Sequence, residues 1–107
     1  MPKFSLLIAA LVAVGVLAVP AVGSATKHVA VCDCLAFKPH KLTIKKGTKV
    51  VWTWGGMLPH NVTVISGPQK FHSATMTTGT YSHKFKKKGT YTLVCTIHGF
   101  TMTVKVK

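Results

Sequence analysis

Apolar residues recur at every second position along this chain, in short runs separated by turn-forming residues, and residues 26–107 show no sustained helical period. Leu42 and Ile44 alternate with Thr43 and Lys45 before Gly47 punctuates a turn. The run Val50 to Trp54 stops at Gly55-Gly56, and Val62 and Val64 share a face with His60. Tyr81, His83 and Phe85 alternate with Ser82 and Lys84, the same pattern returns from Thr90 to Cys95, and Met102 to Val106 closes the chain. Such strands bury one face each, so they need a second sheet to bury it against. Seven or eight of them predict an all-β fold, a Greek-key β-sandwich or barrel. Only 66–78 is long and weakly patterned, which predicts a loop or an irregular edge.

The N-terminus reads differently. Lys3 precedes an apolar run from Phe4 to Val19 with no charge, Pro20 breaks it, and Gly23-Ser24-Ala25 offers small residues for cleavage. That anatomy predicts a signal peptide over 1–25, with a retained membrane anchor as the alternative. The protein is therefore expected to be exported, to a periplasmic, extracellular or cell-surface location. Residues 26–107 form the expected single domain, small but sufficient for one core if a metal helps to hold it.

That domain carries thirteen lysines against one acid, Asp33, for a formal charge of +12, and no arginine occurs anywhere. A single carboxylate excludes paired-acid catalysis and hard-cation sites built from carboxylates. The absence of arginine, with the export signal, argues against a nucleic-acid partner. A basic surface would speed encounter with an acidic protein partner.

The residues that carry chemistry are concentrated near the end. Cys95, His98 and Met102 place a thiolate, an imidazole and a thioether within one predicted loop and the start of the next strand. Tyr91, Leu93 and Cys95 point to one face, which Leu93 makes the interior. His60, after Leu58-Pro59, opens a strand whose interior residues are Val62 and Val64, so it approaches the same pole. Two imidazoles and a thiolate with a weak thioether form the ligand set of a blue-copper site. Zinc fits nitrogen and sulfur ligands as well, although a methionine is out of place in a zinc set.

Several strings resemble one family: Phe37-Lys38-Pro39, Ile44-Lys45-Lys46-Gly47-Thr48, Val51-Trp52-Thr53-Trp54, Pro59-His60-Asn61-Val62, Gly89-Thr90-Tyr91 and Cys95-x-x-His98. Together they are similar to the cupredoxins, the type 1 blue-copper proteins, in particular bacterial plastocyanin-like and amicyanin-like members. The resemblance implies one copper ion with His60, Cys95 and His98 as equatorial ligands. Asn61 would then tie the His60 strand to the Cys95 loop. Met102 is the expected axial ligand, four residues after His98, a spacing that differs from those relatives; Met57 is the competing donor. The resemblance further implies electron transfer by Cu(II)/Cu(I) cycling, through the edge of His98 and an apolar patch of Met57, Leu58, Pro59, Gly99 and Phe100. The partner would be a transient redox protein, acidic in character: a cytochrome, oxidase or reductase. The chain is expected to be a monomer and to perform no catalysis of its own. Two other readings stay open: copper storage, delivery or detoxification, and a metal-free basic sandwich that binds the cell envelope.

The family explains neither Cys32-Asp33-Cys34 nor the remaining histidines. The two thiols could bridge to each other, pair between chains or bind a second metal; a structural or redox pair is the expectation. His28, His40, His72 and His83 lack metal-type spacing and are expected at the surface or a sheet edge. Trp52 and Trp54 share a face and read as core, and Lys86-Lys87-Lys88 reads as a solvated turn.

Overall fold

A computed structural model describes residues 25–107; the expected signal peptide lies outside the described residues, apart from its last position, Ala25. Eight strands follow one another: β1 (Thr26–Cys32), β2 (Ala36–Lys38), β3 (Lys41–Ile44), β4 (Lys49–Trp54), β5 (Thr63–Ser66), β6 (Thr80–Lys84), β7 (Gly89–Val94) and β8 (Thr101–Val106). They form two four-stranded sheets, ordered β2-β1-β4-β6 and β3-β8-β7-β5. The β1–β4 and β3–β8 pairs are parallel and the others antiparallel. The described residues contain no helix, and therefore no helix able to cross a membrane.

The alternation seen in the sequence becomes burial. In β4, Val50, Trp52 and Trp54 point inward while Lys49 and Thr53 face solvent. Val29 and Val31 of β1 line the same sheet, and Tyr91, Leu93, Met102, Val104 and Val106 oppose them from the other. Trp52 is fully buried and touches the rings of Phe71, Tyr81 and Phe85. Each such side chain removed from water contributes about 1.5–3 kcal/mol before packing terms. Among the described residues the eight strands close two sheets over one core.

The weakly patterned segment is an irregular edge. It touches the sandwich through isolated bridges, His60 with Met76 and Thr63 with His72. The first of these matters most, because it grips His60 outside any strand.

Strand direction fixes two poles. The β1, β4 and β7 strands end, and β6 and β8 begin, at the pole that holds Cys95; the opposite ends of all five gather at the other.

Candidate metal centre

Cys95 follows the last residue of β7, with its side chain fully buried beneath the turn that leads to β8. The turn closes on itself. The Cys95 amide donates to the Phe100 carbonyl at 3.0 Å, and the Gly99 amide donates to the Cys95 carbonyl at 2.7 Å. Gly99 sits at φ 82°, a left-handed conformation that favours glycine. This tight turn lifts His98 back over Cys95 while leaving its ring exposed.

His60 is fully buried and held on every side. Its amide and carbonyl exchange hydrogen bonds with Met76 at 2.9 and 3.0 Å, and Trp54 Nε1 donates to the same carbonyl at 2.8 Å. Asn61 then links the two ligand-bearing segments. Its amide nitrogen donates to Thr96 Oγ1 at 2.7 Å, and its oxygen accepts from the Thr96 amide at 3.1 Å. Thr75 accepts the other amide hydrogen and Thr63 donates to the oxygen. The role that the resemblance assigned to Asn61 is thus realised in full.

The three expected equatorial ligands converge. His60 Nδ1 and His98 Nδ1 lie 3.2 Å apart, and Cys95 Sγ lies 3.8 Å from the first and 3.9 Å from the second. Metal–nitrogen bonds of about 2.0 Å and a metal–sulfur bond of about 2.3 Å, drawn from one centre, place the nitrogens roughly 3 Å apart and the sulfur nearly 4 Å away. The donor set therefore fits a single ion.

The lone acid belongs to this site, which the sequence did not reveal. Asp33 Oδ1 lies 3.0 Å from His60 Nε2, and the carboxylate also accepts from the Met57 and Leu58 amides at 3.1 and 3.2 Å. With Nε2–H donating to Asp33, the Nδ1 lone pair of His60 is free for a metal. Partial desolvation raises the Asp33 pKa, but the Leu58 amide, the His60 ring and the Met57 amide outweigh it and hold the group below the ordinary carboxylate value. Asp33 sits inside the Cys32–Cys34 disulfide, which settles the fate of that pair. Cys34 lies on a turn rather than on a continued strand. A lone acid between two cysteines was the available signal.

The methionines are placed unequally. Met102 is buried on β8, and its sulfur accepts a hydrogen bond from Trp52 Nε1 at 3.3 Å. Met57 is 80% exposed. Around exposed His98, Leu58 and Ile97 also reach solvent, while Phe100 is half-buried and packs its ring against His60 and Phe37. Ile97 was not anticipated in this apolar patch. Among the remaining histidines, His28, His40 and His72 are exposed, whereas His83 is half-buried and stacked on Phe71 at 3.7 Å.

The family model for copper binding proteins of the plastocyanin/azurin type matches residues 25–107. The chain belongs to that family. Copper is the metal of that family, and His60, Cys95 and His98 are positioned as a metal site. Among curated relatives of this cupredoxin, Amicyanin-alpha of Methylorubrum extorquens is 41% identical over 70 residues, 62% of this chain and 59% of that protein. Amicyanin of Paracoccus versutus is 38% identical over 64 residues, 56% of this chain and 48% of the relative. The alignments thus span less than two thirds of either relative. Among solved structures, a single-residue variant of amicyanin in its Cu(I) form superposes with a TM-score of 0.69 at 26% identity, covering 79% of this chain and 85% of the other. A Cu-containing nitrite reductase from Thermus scotoductus gives 0.68 at 25% identity, covering 77% of this cupredoxin but only 22% of that enzyme. The second match shows the cupredoxin fold used as one part of a larger protein.

Proposed function

We propose that this cupredoxin is an exported single-electron carrier whose copper is held by His60, Cys95 and His98, with Met102 as the weak axial donor. The observation that carries the reading is the convergence of Nδ1, Nδ1 and Sγ at one pole, two of the ligands buried and one exposed. Bound copper supplies a one-electron couple, and the mixed nitrogen and sulfur donors suit both of its oxidation states. The protein's part is to keep the donors still. The Asn61–Thr96 hydrogen bonds and the Met76 bridge fix the two loops, and Asp33 fixes the His60 ring.

Met102 is buried on β8, the strand that follows the Cys95 turn, and the axial place is assigned to it on the donor chemistry of its thioether. Met57 is too exposed to serve as a buried donor. Export is supported by the N-terminal apolar run and by the Cys32–Cys34 disulfide, which persists in oxidising compartments.

Electrons pass through His98, where Met57, Leu58, Ile97 and Phe100 offer a small apolar face to a transient redox partner. The turns that ring this face contain no lysine. Its short-range contacts with a partner are therefore apolar, and any preference for an acidic protein acts through the field of the whole chain. The buried thiolate favours this reading over copper delivery, since releasing the ion would require opening a closed, doubly clamped turn.

The test is spectroscopic. Residues 25–107 loaded with Cu(II) should show an intense thiolate-to-copper band in the visible, and Cys95→Ala should abolish it. Copper binding without that band would sink the electron-carrier assignment; copper transfer to an acceptor faster than electron exchange would favour delivery.

A further inference from the structure

The lysines are segregated. Lys27 stands at the foot of β1, Lys45 and Lys46 lead from β3 into β4, and Lys49 of β4 lies beside Lys84 of β6. Lys86, Lys87 and Lys88 form the β6–β7 turn, and Lys105 and Lys107 end β8. These ten of the thirteen described lysines are all exposed and all occupy the pole opposite the metal centre. The copper-pole segments 32–36, 55–62, 73–79 and 95–100 contain none, and the sole acid, Asp33, is there instead. No carboxylate side chain therefore offsets the basic pole.

Its backbone is braced. The Lys46 amide donates to the Lys107 carbonyl at 2.9 Å, and the Gly47 amide donates to the Phe85 carbonyl at 2.7 Å. Buried Tyr91 donates its hydroxyl to the Lys87 carbonyl at 2.8 Å, pinning the triple-lysine turn. Solubility alone asks for charge, not for charge gathered on one braced end.

Chain connectivity gives a second, independent pointer. Thr26 pairs with Lys49, so the chain enters the domain at the basic pole. From Phe4 to Thr26 the sequence has no charged side chain. Under the alternative reading of a retained anchor, that apolar segment joins at the end where the lysines gather. The chemistry of the patch agrees: lysines are compact point charges suited to a diffuse, mobile array of anionic headgroups, and arginine, the usual bidentate phosphate ligand, is absent.

We propose that this pole is a docking face for an anionic lipid bilayer, which turns the copper pole toward the aqueous phase and its redox partners. Strands of six residues are roughly 20 Å long, and the Debye length at physiological salt is about 8 Å. The lysines can therefore grip a membrane with little effect on short-range docking at His98. Docking itself requires no metal; only its consequence for redox partners rests on the electron-carrier reading.

Residues 25–107, which hold the eight described strands and the core they enclose, are mixed with vesicles of phosphatidylcholine alone or with equal phosphatidylglycerol, and the bound fraction is measured by sedimentation. Binding is expected only with phosphatidylglycerol and should fall steeply with added salt. The variant Lys86→Glu, Lys87→Glu, Lys88→Glu should bind at least about tenfold more weakly. The matched variant Lys38→Glu, Lys41→Glu, Lys70→Glu has the same net charge but spares the pole, and should bind far better. Circular dichroism checks that both variants fold. Equal losses in the two variants would overturn the pole assignment. So would failure to bind anionic vesicles at low salt, or a preference for polyglutamate over vesicles, which would assign the pole to an acidic protein.

Discussion

Asp33 Oδ1 sits 3.0 Å from His60 Nε2, joining the only acid of the chain to a fully buried imidazole of the candidate metal site. The contact fixes the ring from behind, while Nδ1 faces Cys95 and His98. Gly55 makes room for it, since a Cβ at that position would come within 2.9 Å of Asp33 Oδ2. Removing the carboxylate leaves a buried N–H without its partner. Asp33→Ala is accordingly expected to weaken copper binding about 10–100-fold, and Asp33→Asn, which keeps a carbonyl acceptor, to weaken it less. Copper titration followed by the thiolate-to-copper band measures both. Unaltered affinity in Asp33→Ala would remove Asp33 from the site.

The disulfide should act through the same contact. Cys32–Cys34 closes a loop around Asp33 and limits where its carboxylate can go. Reduction, or Cys34→Ser, should lower copper affinity in the same direction as Asp33→Ala but by less. In a double-mutant cycle the Cys34→Ser and Asp33→Ala effects should be non-additive. Fully additive losses would show that the disulfide supports the fold by another route.

Met102 and Trp52 bridge the two sheets through a sulfur–indole hydrogen bond. Met102→Gln is expected to lower the reduction potential while copper stays bound, because an amide oxygen favours Cu(II) over Cu(I). Met57→Ala should leave the potential alone, given its exposure. Protein-film voltammetry separates them; an unchanged potential in Met102→Gln would deny it the axial position.

His83 gives the fold a pH dependence distant from copper in sequence and in chemistry. Its half-buried ring is stacked on Phe71, and desolvation lowers its pKa from the ordinary 6.5. In the unfolded chain the imidazole takes up a proton near that value, while the folded protein resists it. Stability is thus fully present above about 6.5 and falls as pH drops from there through the depressed folded value. His83→Gln should flatten this part of the profile of urea midpoint against pH in mildly acidic solution. A slope as steep as in the parent protein would assign the dependence to other groups.

The strand alternation made most of the site readable in advance. Cys95 shares a face with Tyr91 and Leu93, and this alone placed its thiol inside. His60 was legible because Pro59 and Asn61 flank it, and Asn61 because its motif partner lies at Cys95. Asp33 was not legible, since its contact with His60 crosses 27 positions and depends on a turn closed by a disulfide. The direction of the Met102 sulfur was equally hidden, because alternation assigns a face but not which buried neighbour a flexible side chain meets. His83 lies on the edge strand β6, within its expected range of positions, but its partial burial was hidden because Phe71, in the irregular segment, folds back over its ring. The gathering of the lysines could not be seen either. It follows from which strands run parallel, a property of topology that composition does not carry.

The turn from Cys95 to Phe100 is closed by its own backbone hydrogen bonds, and the hydrogen bonds that hold His60 itself come from Asp33, Trp54 and Met76, all outside that turn. The two halves meet through Asn61–Thr96 and the Phe100 ring. The centre is therefore modular. A turn of another length could be grafted between β7 and β8, resetting the spacing from cysteine to histidine to methionine, while the His60 half stays in place. Lineages or engineers could retune such a site by exchanging one short cassette and leaving the rest of the sandwich as it is.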